Sequence, residues 1–258
     1  MFTTTIIPLL VLLPATALAI IHGRPAEPQF ASSYAAVSFA GLRTCGAVVI
    51  SPRTVLTGAH CLSIGGVDFA DIANSMGLLS VAYGSVTPSS ANVEARVRNI
   101  VVHPEYAFDL NTGAITNDIA LITLKEPLEH ATFAEISSAV PARGIAVGLG
   151  LNDNFELDQP DRLYQVSLAV KSVEGGIIVS GSSEVDGKSN IPSICWGDSG
   201  GGFYEPTDGD RTAFARVFGL VSYELEPSRC AEGRTEEQYF TNLVWYKAWV
   251  DEQVQAGS

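Results

Sequence analysis

Short runs of aliphatic and β-branched residues recur along nearly the whole chain, and clusters of Gly, Pro, Asn and Ser separate them. The runs cover 35–40, 46–50, 79–82, 97–102, 119–124, 145–149, 163–170, 176–179 and 214–222. Each is the length of a strand and too short for an ordinary helix, and turn-forming residues close it at both ends. A chain punctuated in this way buries its apolar surface between sheets. One segment departs from the pattern. In 242–255, Leu243, Tyr246 and Val250 fall on one face of a helix, with Trp249 beside them and Asn242 placed to cap it. There is no internal repeat, low-complexity tract or long linker.

The first nineteen residues read as an export signal rather than as part of the fold. An apolar core, Ile6 to Leu13, is followed by Ala17-Leu18-Ala19, the small-residue pattern of a signal-peptidase site. The core is shorter than the roughly 20 residues a membrane span needs. The absence of Lys and Arg from the first few residues is off-pattern. Cleavage after Ala19 makes Ile20 the first residue, whereas cleavage after Ala17, at Ala15-Thr16-Ala17, leaves Leu18-Ala19 ahead of it. No second apolar stretch is long enough to cross a bilayer, so a secreted, extracellular protein with no membrane contact after signal removal is expected. A net charge of −13 argues against nucleic acid or an anionic membrane as the main partner and suits solubility outside the cell. The four cysteines suggest two disulfides, for which three connectivities exist. No Asn-x-Ser/Thr sequon is present.

The segment carrying the most chemistry is Cys195-Trp196-Gly197-Asp198-Ser199-Gly200-Gly201. A serine hydroxyl becomes a useful nucleophile when a base takes its proton and backbone donors receive the charge that develops on the substrate. Glycines beside it let the main chain turn tightly enough to aim several N–H groups at one point. Taken alone, this stretch is also compatible with a glycine-rich turn between strands. A base is needed, and four histidines are available: His22, His60, His103 and His130. His60 lies in Thr57-Gly58-Ala59-His60-Cys61, at the end of an apolar run and anchored by the adjacent cysteine. His103 precedes a proline, His130 sits in a polar connection, and His22 belongs to the amino-terminal segment. An orienting carboxylate is supplied by Asn117-Asp118-Ile119-Ala120-Leu121-Ile122, where an acid opens an apolar strand with no Lys or Arg within three residues. Buried there, Asp118 needs a histidine or backbone donors to satisfy it. Asp109 lacks such a run. No two histidines stand at metal-ligand spacing, and Asp68 and Asp71 fall short of a calcium ligand set, so no metal and no cofactor are expected.

The order His60, Asp118, Ser199, together with T-G-A-H-C, N-D-I-A-L and C-W-G-D-S-G-G, resembles the chymotrypsin/trypsin family of serine endopeptidases. Ile20-Ile21-His22-Gly23 resembles that family's mature amino terminus, Ser222 in Gly219-Leu220-Val221-Ser222-Tyr223 resembles the strand that pairs with bound substrate, and the resemblance runs from Ile20 to Val254. It implies an all-β fold of two six-stranded antiparallel Greek-key barrels, roughly 20–130 and 131–240, with a C-terminal α-helix at about 242–255. It also implies peptide-bond hydrolysis through an acyl-enzyme, with Ser199 as nucleophile, His60 as general base and acid, and Asp118 orienting the imidazole. Gly197 and Ser199 would donate their N–H groups to the oxyanion, and Asp198 would pair with the freed amino group of Ile20. The implied disulfides are Cys45–Cys61 and Cys195–Cys230. Protein or peptide substrates and protein protease inhibitors are the implied partners, and a monomer is expected.

Departures from the family pattern concern specificity. Ser193 stands where an acid would recognise Lys or Arg, so simple trypsin-like cleavage is not expected. Ile194 narrows the pocket, and Glu224, two residues after Ser222, and Gln238 replace wall glycines. Two readings follow: a constricted pocket for small or medium apolar residues, or a wall carboxylate at Glu224 that meets a basic side chain. Gly202 replaces the family's proline and is expected to loosen the loop after the nucleophile. The reading from another class is a non-catalytic homologue that acts as a binding protein. An esterase or lipase would need its G-x-S-x-G elbow in an α/β chain, and the β-rich pattern does not supply such a chain.

Overall fold

The computed structural model describes residues 20–64, 67–68, 70–83, 93–129, 131–150, 162–181, 192–207, 215–224 and 237–257. The expected signal segment, His130 and Cys230 lie outside the described residues.

Among the described residues, twelve strands form the two barrels. The first six are β1 (Tyr34–Phe39), β2 (Leu42–Ser51), β3 (Thr54–Thr57), β4 (Leu79–Tyr83), β5 (Val93–Val102) and β6 (Ala120–Leu124). They close into an antiparallel barrel in the order β1-β2-β3-β6-β5-β4. The second six are β7 (Arg143–Gly148), β8 (Tyr164–Glu174), β9 (Ile177–Gly181), β10 (Gly202–Tyr204), β11 (Arg216–Tyr223) and β12 (Gln238–Asn242). Their ring runs β7-β8-β9-β12-β11-β10 and is closed by the β7–β10 pairing, so the second barrel repeats the strand order of the first. Closure removes the exposed strand edges that an open sheet would leave.

The strand runs are apolar throughout, instead of alternating with polar residues, because both faces of many strands are buried. In the first barrel, Ala35, Val37, Ala47, Val49, Val55, Ala120 and Ile122 fill the interior. Their neighbours Tyr34, Ala36, Val48, Leu56 and Leu121 point the other way, into a layer shared with Val147, Val217, Leu220 and Tyr204 of the second barrel. The period-2 geometry of a strand thus supplies a barrel core and an inter-barrel seam from the same residues. Phe203, Phe218 and Phe240 form the centre of the second barrel, with Phe203 stacked on Phe240 at 4.2 Å between ring centroids.

The C-terminal helix, Leu243–Gly257, covers the seam with Leu243, Tyr246 and Val250. Asn242 Oδ1 accepts the N–H groups of Val244 (3.1 Å) and Trp245 (3.3 Å), which makes it the cap that the sequence suggests. Among the described residues no helix is long and apolar enough to cross a membrane.

The expectation that Gly202 loosens its loop is corrected. Gly202 opens β10 and pairs with Leu220, and the Tyr204 ring packs against it so closely that a Cβ there would lie 2.4 Å from the ring. Residue 202 is glycine because an aromatic ring occupies the space, and the segment is an ordered strand.

Candidate active site

His60 and Asp118 both come from the first barrel. β3 ends at Thr57, and the chain turns through a short 3-10 segment, Ala59–Cys61, that carries His60. Cys61 is bonded to Cys45 of β2, so the histidine turn is tied covalently to the barrel. Asp118 stands two residues before β6. The preceding Asn117 has φ of 50°, a left-handed conformation that Asn tolerates better than most side chains. Asn117 is held from both sides: its Nδ2 donates to the Glu105 carbonyl (2.8 Å), and its Oδ1 accepts from Tyr246 Oη of the C-terminal helix (2.8 Å).

This places the Asp118 carboxylate, almost wholly buried, against the imidazole. Asp118 Oδ2 lies 2.8 Å from His60 Nδ1, and Oδ1 accepts the His60 backbone N–H at 2.9 Å. Ser222 Oγ of β11 donates to Oδ2, and Thr241 Oγ1 of β12 donates to the Asp118 carbonyl at 2.7 Å. Burial pushes the Asp118 carboxyl up, but the His60 charge and these donors more than offset it and hold the pKa below the ordinary carboxylate value. Burial likewise pulls the His60 imidazole down, and the adjacent Asp118 charge and hydrogen bond lift its pKa above the ordinary histidine value. The pair is therefore suited to stabilise an imidazolium.

Ser199 is brought to the same place by the second barrel. The Ser199 carbonyl accepts the Gly46 N–H (2.7 Å), and Gly200 N–H donates to Val221 O (2.8 Å), so the nucleophile loop is pinned to both barrels. Gly200 has φ of 76°, and a Cβ there would meet Gly46 O and Thr57 Oγ1 at 2.3 Å, which excludes every other residue type. A cleft of about 300 Å³ is lined by His60, Ser199, Ile194, Trp196, Ser222 and Glu224 among others. Among the described residues, the N–H groups of Gly197 and Ser199 donate to no protein acceptor. No hydrogen bond joins Ser199 Oγ to His60; the imidazole Nε2 instead lies 3.7 Å from Cys61 Sγ. Such contacts are commonly long in a ligand-free site and tighten when substrate binds.

Asp198 is fully buried, and its carboxylate accepts the N–H groups of Gly150 (2.7 Å) and Cys195 (2.8 Å). No ion pair reaches it among the described residues, and burial pushes its pKa up to about 7. Ile20 is also buried, in the second barrel core, and Ile21 bridges to Ser193; the structure does not bring the Ile20 backbone into hydrogen-bonding contact with Asp198. Ser193 and Gln238 are completely buried behind Ile194, and Glu224 stands at the cleft. Cys195 is disulfide-bonded, while Cys230, its expected partner, lies outside the described residues. The cluster of Cys45, Cys61 and His60 has the donor atoms of a metal site, but both sulfurs are spent in the disulfide.

Several residues that shape the site went unread in the sequence. Gly148 and Gly150 form the cradle of Asp198: a Cβ at Gly148 would lie 2.0 Å from its Oδ1, and one at Gly150 would lie 2.6 Å away. Their signal is the G-L-G that closes the run 145–149. Thr241, at the Asp118 carbonyl, and Tyr246, at the neighbouring Asn117, come from the far end of the chain and leave no local signature of these contacts.

The Trypsin family profile matches residues 20–250. Brachyurin from Leptuca pugilator is 27% identical over 246 residues, covering 91% of this chain and 98% of brachyurin. Kallikrein-4 from Homo sapiens is 29% identical over 249 residues, covering 92% of this chain and 88% of the kallikrein. The solved structure of neuropsin, a serine protease of mouse brain, superposes with a TM-score of 0.68 at 22% identity, covering 91% of this chain and all of that one, which speaks to the fold. The barrels, the seam between them and the match along 20–250 lead to one conclusion: this chain belongs to the trypsin family of serine proteases.

Proposed function

We propose that the chain is a secreted endopeptidase that hydrolyses peptide bonds in proteins through Ser199, His60 and Asp118. The observation that carries the reading is the buried His60–Asp118 pair at 2.8 Å, opening on the cleft that holds Ser199. Ser199 Oγ attacks the carbonyl carbon while His60 Nε2 takes the hydroxyl proton. The negative charge developing on the carbonyl oxygen falls to the uncommitted N–H groups of Gly197 and Ser199; losing one such donor typically costs about 3–4 kcal/mol. As the C–N bond breaks, His60 returns the proton to the leaving amine. Water then attacks the ester with the same base and releases the acid. Asp118 holds the imidazole tautomer throughout. The apolar segment 1–19 supports export, and Asp198 waits for the amino group of Ile20, whose release would supply the missing cation.

The second reading is a folded homologue that binds without cleaving, in which Ser199 Oγ and His60 stay unbonded when substrate is present. One experiment separates the two. A serine-directed fluorophosphonate is expected to label the folded protein, and Ser199→Ala to abolish labelling and lower kcat by several orders of magnitude with Tm unchanged. Folded wild-type protein that is never labelled would support the binding protein instead.

A further inference from the structure

Three donor atoms stand together at the edge of the His60–Asp118 pair. Cys45 Sγ, Cys61 Sγ and His60 Nε2 all lie within 4.8 Å of one another, and Nε2 is 3.7 Å from Cys61 Sγ. In the oxidised chain the two sulfurs are bonded to each other, which closes the set to a cation. Reduced and deprotonated, it becomes two thiolates and an imidazole, a ligand type that holds Zn²⁺ with one position left open. At Zn–S of about 2.3 Å and Zn–N of about 2.0–2.1 Å, tetrahedral donors sit about 3.6 Å apart for sulfur and nitrogen and about 3.8 Å apart for two sulfurs. The contact between Nε2 and Cys61 Sγ already matches the first separation. The Cα atoms of Cys45 and Cys61 are 6.1 Å apart, which leaves room for the second by side-chain rotation.

The imidazole is also presented in the correct tautomer. Asp118 Oδ2 lies 2.8 Å from His60 Nδ1, which places a proton on Nδ1 and leaves the Nε2 lone pair for a cation. A carboxylate behind the imidazole is the arrangement that orients a metal-binding histidine and raises its basicity. We propose that reduction of the Cys45–Cys61 disulfide opens a site of two cysteines and His60 for a thiophilic divalent cation such as Zn²⁺, and that the bound cation turns the catalytic centre off. The reductant is a dithiol. One of its thiolates attacks a sulfur of the disulfide, forms a mixed disulfide and expels the other sulfur as a thiolate; its second thiol resolves the mixed disulfide. The dithiol leaves oxidised, and the protein holds two cysteine thiols. Zn²⁺ then replaces both thiol protons, which pass to solvent, and bonds Nε2. The same lone pair takes the Ser199 proton during hydrolysis, so a bound cation leaves the serine without its base. The metal site stands apart from the hydrolytic reading above, whereas its inhibitory effect rests on that reading.

The test uses the full folded protein, treated with dithiothreitol in metal-free buffer until peptide mapping shows Cys45 and Cys61 as free thiols. One equivalent of Zn²⁺ is expected to protect both from iodoacetamide, and Co²⁺ in its place to give thiolate-to-cobalt charge-transfer absorption. Relative to the reduced, metal-free protein, Zn²⁺ is expected to slow fluorophosphonate labelling at least about a hundredfold, the scale of a lost general base, and EDTA to restore it. Oxidised protein with the same Zn²⁺ is expected to label normally. Asp118→Asn is expected to weaken Co²⁺ binding about 10- to 100-fold, a change that a purely structural disulfide would not produce. Thiols that stay open to iodoacetamide in the presence of Zn²⁺ overturn the proposal, as does equal inhibition of the oxidised protein. Loss of the barrels on reduction, seen by circular dichroism, overturns it too. Thiol protection in a protein that is never labelled supports the metal site and overturns the hydrolytic reading, with the inhibitory effect built on it.

Discussion

At the scale of single residues, the His60–Asp118 pair makes opposite demands on stability and catalysis. His60 has a folded pKa above its ordinary value. Its contribution to stability is therefore complete below about pH 6.5 and is lost as pH rises through the folded pKa. General-base catalysis needs neutral imidazole, so kcat/KM should rise across that same window, with a midpoint above 6.5. Asp118 has a lowered pKa, so its contribution is present above about pH 4 and is lost as pH falls through the folded value. A pH profile of kcat/KM and a Tm series at matching pH test both statements; an activity midpoint below 6.5 would contradict them. Ser199, His60 and Asp118 were legible because each stands in a short contiguous motif whose neighbours betray its environment. Gly148 was not, because its only requirement is the Asp198 carboxylate, 50 residues away in sequence. Gly148→Ala should push Asp198 out of its cradle and slow fluorophosphonate labelling by at least about tenfold, the order expected when oxyanion donors lose their alignment; circular dichroism would show whether the barrels persist.

At the scale of elements, the C-terminal helix does more than cover the seam. Through Tyr246 Oη and Asn117 Oδ1 it braces the left-handed residue that aims Asp118. Tyr246→Phe removes one hydrogen bond while keeping the ring, a loss of about 0.5–1.5 kcal/mol. The expected result is a several-fold drop in kcat with KM unchanged, read from steady-state kinetics beside thermal melting. The helix was readable from its 3.6-residue periodicity, but its tie to Asn117, 129 residues away, was not. Strands show the same division. The apolar runs announced most of the barrel strands, whereas β10 is a three-residue Gly-Phe-Tyr segment and β12 is a polar-looking Gln-Tyr-Phe-Thr-Asn. Both are strands because their neighbours β11 and β7 or β9 supply the ladder partners.

At the scale of the whole molecule, the full chain carries a buried carboxyl at Asp198 with a pKa near 7 and two backbone donors in place of a cation. A raised carboxyl pKa means that stability is highest below about pH 4 and declines as pH rises through 7, on the order of 4 kcal/mol once ionisation is complete. A chain trimmed to begin at Ile20 would bring an ammonium to the same carboxylate and reverse that trend. Comparing Tm at pH 5 and pH 8 for the full and trimmed proteins tests this; identical pH dependence would remove Asp198 as the sensor of the amino terminus.

The sequence by itself determined the β-class of the chain, its family and the order of its chemistry-bearing residues, because turn residues, strand runs and the nucleophile loop are local signals. Only the tertiary structure decided which groups satisfy Asp118, what cradles Asp198 and how deep the cleft beside Ser199 runs. Those outcomes depend on contacts such as Ser222 to Asp118 and Thr241 to Asp118, 104 and 123 residues apart, and on a glutamine buried behind an isoleucine 44 residues away. Burial and hydrogen bonding at that range come into being only when two closed barrels meet along a seam.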